Sequence, residues 1–171
     1  MAPIIEPLSS ILRPRSWEEF AGQKHLVGEG APIRKILESG RLVSMVFWGP
    51  PGTGKTSLAY LISKTADAEF FHLSGVVSKK EDLTQIITKA RKNFLEGRRT
   101  VLFLDEIHRW NKAQQDALLP YVEKGIVTLV GATTENPSFT IVRALLSRAK
   151  VFVFEPLSPT DVAENLKNSR P

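Results

Sequence analysis

The stretch Val43-Ser44-Met45-Val46-Phe47-Trp48-Gly49-Pro50-Pro51-Gly52-Thr53-Gly54-Lys55-Thr56-Ser57 decides the fold. Its first part, Val43 to Trp48, is almost wholly apolar instead of alternating, as a strand buried on both faces should be. Gly49 to Thr56 then matches G-x-x-x-x-G-K-[ST] in the context that pattern requires, a buried strand before it and a helix after. Glycines let successive backbone N–H groups converge on phosphate oxygens, and the helix from Lys55 adds its positive N-terminal end. Lys55 is placed to pair with the β and γ phosphates, and the Thr56 hydroxyl to bind Mg²⁺.

Working outward, short β-branched runs alternate with longer helical stretches, the pattern of βαβ units around a parallel sheet. Strands are predicted at Val43–Trp48, Glu69–Leu73, Val101–Leu104, Ile126–Gly131 and Val151–Phe154. Helices are predicted at Pro32–Ser39, Lys55–Thr65, Lys80–Glu96, Lys112–Glu123 and Phe139–Ser147, with Gly97 and Gly125 as C-terminal stops. Ser158-Pro159-Thr160-Asp161 reads as the opening of a further helix, with Ser158 as its cap.

The third strand ends in Asp105-Glu106, at the strand end where open α/β sheets bind ligands. Asp105 is the expected metal holder. Glu106 is the expected residue that orients and polarises an attacking water. A second carboxylate at this place points to hydrolysis rather than transfer to a small acceptor. Asp105-Glu106-Ile107-His108 is also similar to the DExH box of helicases, but those enzymes clamp ATP between two domains and this chain has length for one. His108 is therefore read as an ordinary residue after the strand.

The 171 residues predict about one domain. With 42% hydrophobic and 24% charged residues, the composition is that of a folded globule and excludes a disordered chain. The absence of cysteine excludes disulfides, thiolate metal sites and cysteine nucleophiles. No apolar run reaches the roughly 18 residues of a membrane helix, and Met1 to Glu6 lacks the pattern of a secretory signal. The expected location is the cytoplasm. The net charge of +5 is compatible with a nucleic-acid partner and equally with a basic protein that binds only nucleotide. The basic run Lys89, Arg91, Lys92, Arg98 and Arg99 reads as a solvated helix face and end. Trp48 is expected in the core, Trp17 as an anchor of the N-terminal segment, and Trp110 as the exposed aromatic of the three.

This set of motifs resembles the AAA+ ATPases. Leu12-Arg13-Pro14 followed by Phe20-Ala21-Gly22-Gln23 is similar to the segment preceding the phosphate loop in clamp-loader subunits and in the Holliday-junction branch-migration motor. Asp105 to Asp116 and Gly131 to Phe139 narrow the likeness to the family of replication-associated recombination protein A and the Werner helicase-interacting protein. The likeness runs from Leu12 to Pro156, with Trp110 where that family usually carries Phe.

The resemblance implies an α/β phosphate-loop NTPase, a three-layer αβα sandwich whose five-stranded parallel sheet has the order 5-1-4-3-2. Residues 1–155 would form the AAA+ core and 156–171 the start of a helical lid, truncated at Pro171. It implies Mg²⁺-dependent ATP hydrolysis in a DNA-dependent protein of fork maintenance and recombination. Pro51, Gly52, Thr53, Gly54, Lys55, Thr56 and Ser57 would bind the nucleotide, with Arg13, Pro14 and Gln23 near the adenine. Thr56 and Asp105 would hold the metal. Glu106, Thr134 as the sensor at the fourth strand's tip, and Arg148 as a finger reaching a neighbouring subunit's ATP would be catalytic; Ser74 would restrain Glu106. Implied partners are single-stranded or forked DNA, further copies of the chain and a single-stranded-DNA-binding protein, with no membrane and a nucleoid-associated location. The alternatives are a branch-migration motor or clamp-loader subunit and, from another class, an ATP-dependent binding switch with incidental hydrolysis.

Overall fold

The fold was obtained as a computed structural model and is described for residues 16, 17 and 20–168. Two helices, α1 (Lys24–Val27) and α2 (Pro32–Glu38), precede strand β1 (Met45–Trp48). Then follow α3 (Lys55–Thr65), β2 (Ala68–Ser74), α4 (Lys80–Leu95) and β3 (Arg99–Asp105). A 3₁₀ turn (Ile107–Arg109), α5 (Lys112–Asp116) and α6 (Leu119–Glu123) lead to β4 (Thr128–Thr133). The described chain closes with α7 (Pro137–Thr140), α8 (Arg143–Leu146), β5 (Lys150–Val153) and α9 (Pro159–Asn168).

All strand pairs are parallel and the sheet order is β2-β3-β4-β1-β5, the expected 5-1-4-3-2 read from the other edge. Alternation along each strand divides the core into two layers. Met45, Phe47, Val101, Phe103, Val130 and Ala132 pack with Leu58 and Ile62 of α3 and Ile33 of α2. Val46, Leu102, Leu104 and Leu129 point the other way, onto Ile86 and Ala90 of α4, Leu118 and Leu145. Both faces are covered, which is why the strands read as continuous apolar runs.

Strand ends elsewhere move by one or two residues, and three further differences have a local reason. β4 begins at Thr128, not Ile126, because the N–H groups of Ile126 and Val127 both bond to the Tyr121 carbonyl and close the turn after α6. The helix predicted over Lys112–Glu123 is two helices: Pro120 has no N–H for the carbonyl of Asp116, so the ladder stops and restarts. The helix predicted over Phe139–Ser147 is also two, with Ile141 and Val142 extended between them. Helix α9 begins where predicted, Ser158 and Asp161 exchanging backbone-to-side-chain hydrogen bonds of 3.1 Å.

The aromatic expectations divide. Trp17 donates to the Thr65 hydroxyl at 3.1 Å and lies under the Arg34 guanidinium; the segment it was expected to anchor lies largely outside the described residues. Trp110 is not exposed; at 7% it is core, because the 3₁₀ turn folds it onto the layer containing Ile107 and Leu118. Among the described residues the exposed aromatics are instead Phe94, at 51%, and Phe139, at 86%. In the basic run, Lys89 lies over Phe71, Arg91 over Tyr121, Arg98 pairs with Glu69, and Arg99 donates to the Gly40 and Ala66 carbonyls. These cations are largely engaged with their own chain. Among the described residues no helix is long and apolar enough to cross a membrane.

Candidate active site

The sheet order builds the site. Because β4 lies between β1 and β3, the C-terminal ends of all three share one edge: Trp48 is level with Thr133, and Leu104 with Gly131. From that edge emerge the phosphate loop, the acidic pair and the Thr133-Thr134 tip.

The phosphate loop is closed on itself. Gly54, with φ 95°, takes the left-handed conformation that favours glycine and starts α3. Thr53 is buried and its hydroxyl donates to the Pro50 carbonyl at 2.9 Å. Lys55 is also buried, its Nζ donating to the carbonyls of Gly49 at 2.6 Å and Pro50 at 2.7 Å. Burial pushes its ammonium below the ordinary lysine range, while the Asp105 charge acts in the opposite sense. A desolvated cation held on two carbonyls can exchange them for the stronger acceptor oxygens of a phosphate. Pro51 and Gly52 are exposed, whereas Thr56 and Ser57 are half-buried in the first turn of α3.

The acidic pair ends β3. Asp105 accepts from the Glu106 N–H at 3.0 Å, and Glu106 takes the left-handed region at φ 53°, so the chain turns sharply out of the sheet between them. The next loop supports this turn through main chain: Gly75 N–H donates to the Asp105 carbonyl at 2.7 Å, and a Cβ on Gly75 would fall 2.2 Å from the Glu106 carbonyl. The Ser74 hydroxyl, expected to restrain Glu106, accepts instead from Val76 and Val77 N–H in its own loop.

At the tip of β4 the two threonines differ. Thr133 is fully buried; its hydroxyl is shared by His108 Nδ1 at 2.9 Å and the Glu135 N–H at 3.0 Å. Thr134, the expected sensor, is exposed immediately beyond the strand. His108, read from sequence as incidental, is thus part of the edge.

Arg148 follows α8 and is exposed; it donates to the Ala144 carbonyl and pairs with Glu123 at 3.0 Å. Sequence reasoning missed Gln115. At 2% exposure its amide donates to the Trp110 and Thr140 carbonyls and accepts from Val142 N–H, joining the segment after the acidic pair to the start of α8. Two consecutive glutamines in a polar helix carry no signal that one is internal. Gln23 lies against the phosphate loop, whereas Arg13 and Pro14 are outside the described residues.

Comparison with known proteins agrees with this geometry. Residues 45–157 match the model of the ATPase family associated with various cellular activities (AAA). The chain belongs to the AAA ATPase family. It is 48% identical to replication-associated recombination protein A of Haemophilus influenzae over 163 residues, 95% of this chain and 36% of that protein. It is 44% identical to ATPase WRNIP1 of Dictyostelium discoideum over 163 residues, 95% of this chain and 19% of that one. The chain thus spans about a third or less of these curated relatives. The Thermotoga maritima RuvB Holliday junction branch migration motor has a similar structure: TM-score 0.73 and 32% identity over 92% of this chain and 53% of that one.

Proposed function

We propose that this AAA chain is the ATP-binding and ATP-hydrolysing core of a DNA-dependent protein acting in replication-fork maintenance and recombination. The observation that carries the hydrolytic part is the shared edge: a buried lysine on the phosphate loop, a carboxylate pair and a threonine tip on neighbouring strands. The fork and recombination role rests on the likeness to replication-associated recombination protein A.

In this reading Pro51 shapes the loop, the N–H groups of residues 52–57 and Lys55 Nζ bind the phosphates, and Lys55 leaves the Gly49 and Pro50 carbonyls to do so. The Asp105 carboxylate and Thr56 hydroxyl are hard oxygen donors of the kind Mg²⁺ takes; Asp105 is near enough to act on the charge of Lys55, and Thr56 follows that lysine in the chain. A bound Mg²⁺ would neutralise charge on the β and γ oxygens. Glu106 accepts a proton from the attacking water and orients it, Thr134 hydrogen-bonds that water or the γ-phosphate, and Arg148 stabilises the departing phosphate of a neighbouring subunit. DNA, further copies of this chain and a single-stranded-DNA-binding protein are the proposed partners, in the cytoplasm at the nucleoid. Residues 156–168 open the lid.

The experiment is Glu106→Gln, with ATP hydrolysis, ATP binding and DNA-dependent function measured separately. Hydrolysis abolished with ATP binding retained is the expected result; unchanged hydrolysis would remove Glu106 from the mechanism. DNA function that survives without hydrolysis would move the reading to a nucleotide-dependent binding switch. A branch-migration motor is the second reading, favoured by the fold shared with RuvB; forked substrates against four-way junctions separate the two.

A further inference from the structure

Gln23 lies in the short segment Phe20-Ala21-Gly22-Gln23 and is 5% exposed. Every hydrogen bond of its amide goes to main chain. Nε2 donates to the Glu155 carbonyl at 2.7 Å and to the Thr53 carbonyl at 3.3 Å, and Oε1 accepts from the Glu155 N–H at 2.9 Å. The side chain therefore pairs with Glu155, just past β5, much as a strand would, and spends its remaining donor on the middle of the phosphate loop.

The neighbours make the same junction. The Phe20 ring closes on Gly54, where a Cβ would stand 3.2 Å from it. A Cβ on Gly22 would fall 2.7 Å from Leu157 Cδ2 and 3.4 Å from the Asp161 carboxylate, so this turn, at φ 80°, is pressed against the start of α9. On the other side, a Cβ on Gly49 would meet the Phe154 carbonyl at 2.6 Å. The phosphate loop and the exit from β5 are thus in direct contact at Gly49 and clipped together at Gln23.

The bond to Thr53 has a consequence for the loop. In a trans peptide the carbonyl and the following N–H point in opposite directions. Holding the Thr53 carbonyl toward Gln23 therefore turns the Gly54 N–H the other way, away from Gln23. A phosphate that draws on that N–H must act on the peptide plane, and through Gln23 on Glu155.

We infer that Gln23 is a positioning residue with two linked effects: it sets the Gly54 N–H for phosphate, and it transmits phosphate occupancy to the β5 exit and α9. The inference rests on the nucleotide-binding reading above. It gives the Gln23 side chain a role distinct from contact with adenine.

The test uses ADP with Mg²⁺ as probe, on the unsubstituted chain and on Gln23→Met, which keeps the side-chain volume and removes its hydrogen bonds. Calorimetric titration should show ADP binding about tenfold weaker in Q23M, the effect of about 1.4 kcal/mol from one oriented hydrogen bond. Amide hydrogen exchange should show ADP slowing residues 52–57 and also non-proline residues of 153–162 in the unsubstituted chain. In Q23M the slowing at 52–57 should persist and that at 153–162 should vanish, a split that general loosening would not produce. Equal affinity, or slowing at 153–162 that survives the substitution, would overturn the inference. An unsubstituted chain that takes up no ADP would overturn the nucleotide reading instead. If Q23M does not fold, the side-chain amide resonances of Gln23 in the unsubstituted chain decide: displacement on adding ADP supports the link, and unmoved resonances reject it.

Discussion

The Arg148 guanidinium lies 3.0 Å from the Glu123 carboxylate, with 42% and 45% of the two side chains exposed. The residue proposed to serve a neighbouring subunit is thus held by its own chain, on the last residue of α6. An ion pair this open is worth about 0.2–1 kcal/mol, so it holds the guanidinium in place without locking it there. Glu123→Gln should move the melting midpoint by no more than about 4 °C and leave hydrolysis unimpaired. Arg148→Ala should remove a rate factor on the order of 10³ and flatten the dependence of specific activity on protein concentration. Hydrolysis measured across a concentration series checks both. Activity that is flat with concentration and indifferent to Arg148 would withdraw the finger.

Thr133 and Thr134 are adjacent yet should respond oppositely. Thr133 is buried, its hydroxyl joining His108 to the Glu135 main chain, so Thr133→Val should cost about 1–2 kcal/mol of stability. Thr134 is exposed, so Thr134→Ala should stay within about 0.5 kcal/mol in stability and lower turnover at least tenfold. Thermal melts paired with single-turnover hydrolysis give the answer; the reverse pattern would transfer the sensor role to Thr133.

These contrasts mark where sequence stops being legible. The phosphate loop, the acidic pair and the strands were readable because each has a local pattern: glycines at fixed offsets, a carboxylate after an apolar run, periodicity of a buried strand. The order of the strands is a matter of long-range pairing and came from resemblance alone. Trp110 was misread as exposed because its burial depends on a 3₁₀ turn that folds it back under β4. The burial of Gln115 and the main-chain partners of Gln23, a residue that the resemblance had named only for the adenine, were opaque for a common reason. All but one of their amide bonds, that of Gln115 to Trp110, go to main-chain groups 25 to 132 residues away, which no local pattern encodes.

Gln115 carries a stability prediction of its own. Gln115→Met would keep the volume but strand the Trp110 and Thr140 carbonyls and the Val142 N–H in a buried setting. Each unpaired group costs about 1–3 kcal/mol before relaxation, so a net loss of about 2–4 kcal/mol is expected. That corresponds to about 5–12 °C in the melting midpoint for a chain of this length. Gln114, exposed in the same helix, caps the turn at Asn111, and Gln114→Ala should cost about 1 kcal/mol or less. Equal losses at the two positions would mean that the buried bridge contributes nothing beyond a cap.

Lys55 should leave a pH signature on folding. Burial lowers its ammonium pKa in the nucleotide-free chain below the unfolded value of 10.5, against the smaller opposing effect of Asp105. Below the folded-state pKa both states hold the proton and the lysine adds no slope. Between that pKa and 10.5 the unfolded chain binds more protons than the folded one, so this residue makes stability rise with pH. Other groups titrate in the same range, so the quantity to measure is the difference in urea unfolding free energy between the unsubstituted chain and Lys55→Met, from about pH 8 upward. The difference should grow in favour of the unsubstituted chain as pH rises. Saturating ADP should suppress that growth, because phosphate charges favour the protonated ammonium and return its pKa toward the ordinary value. A difference that shrinks with rising pH would mean that the Gly49 and Pro50 carbonyls and Asp105 outweigh burial, and that Lys55 is not held under the desolvation described above.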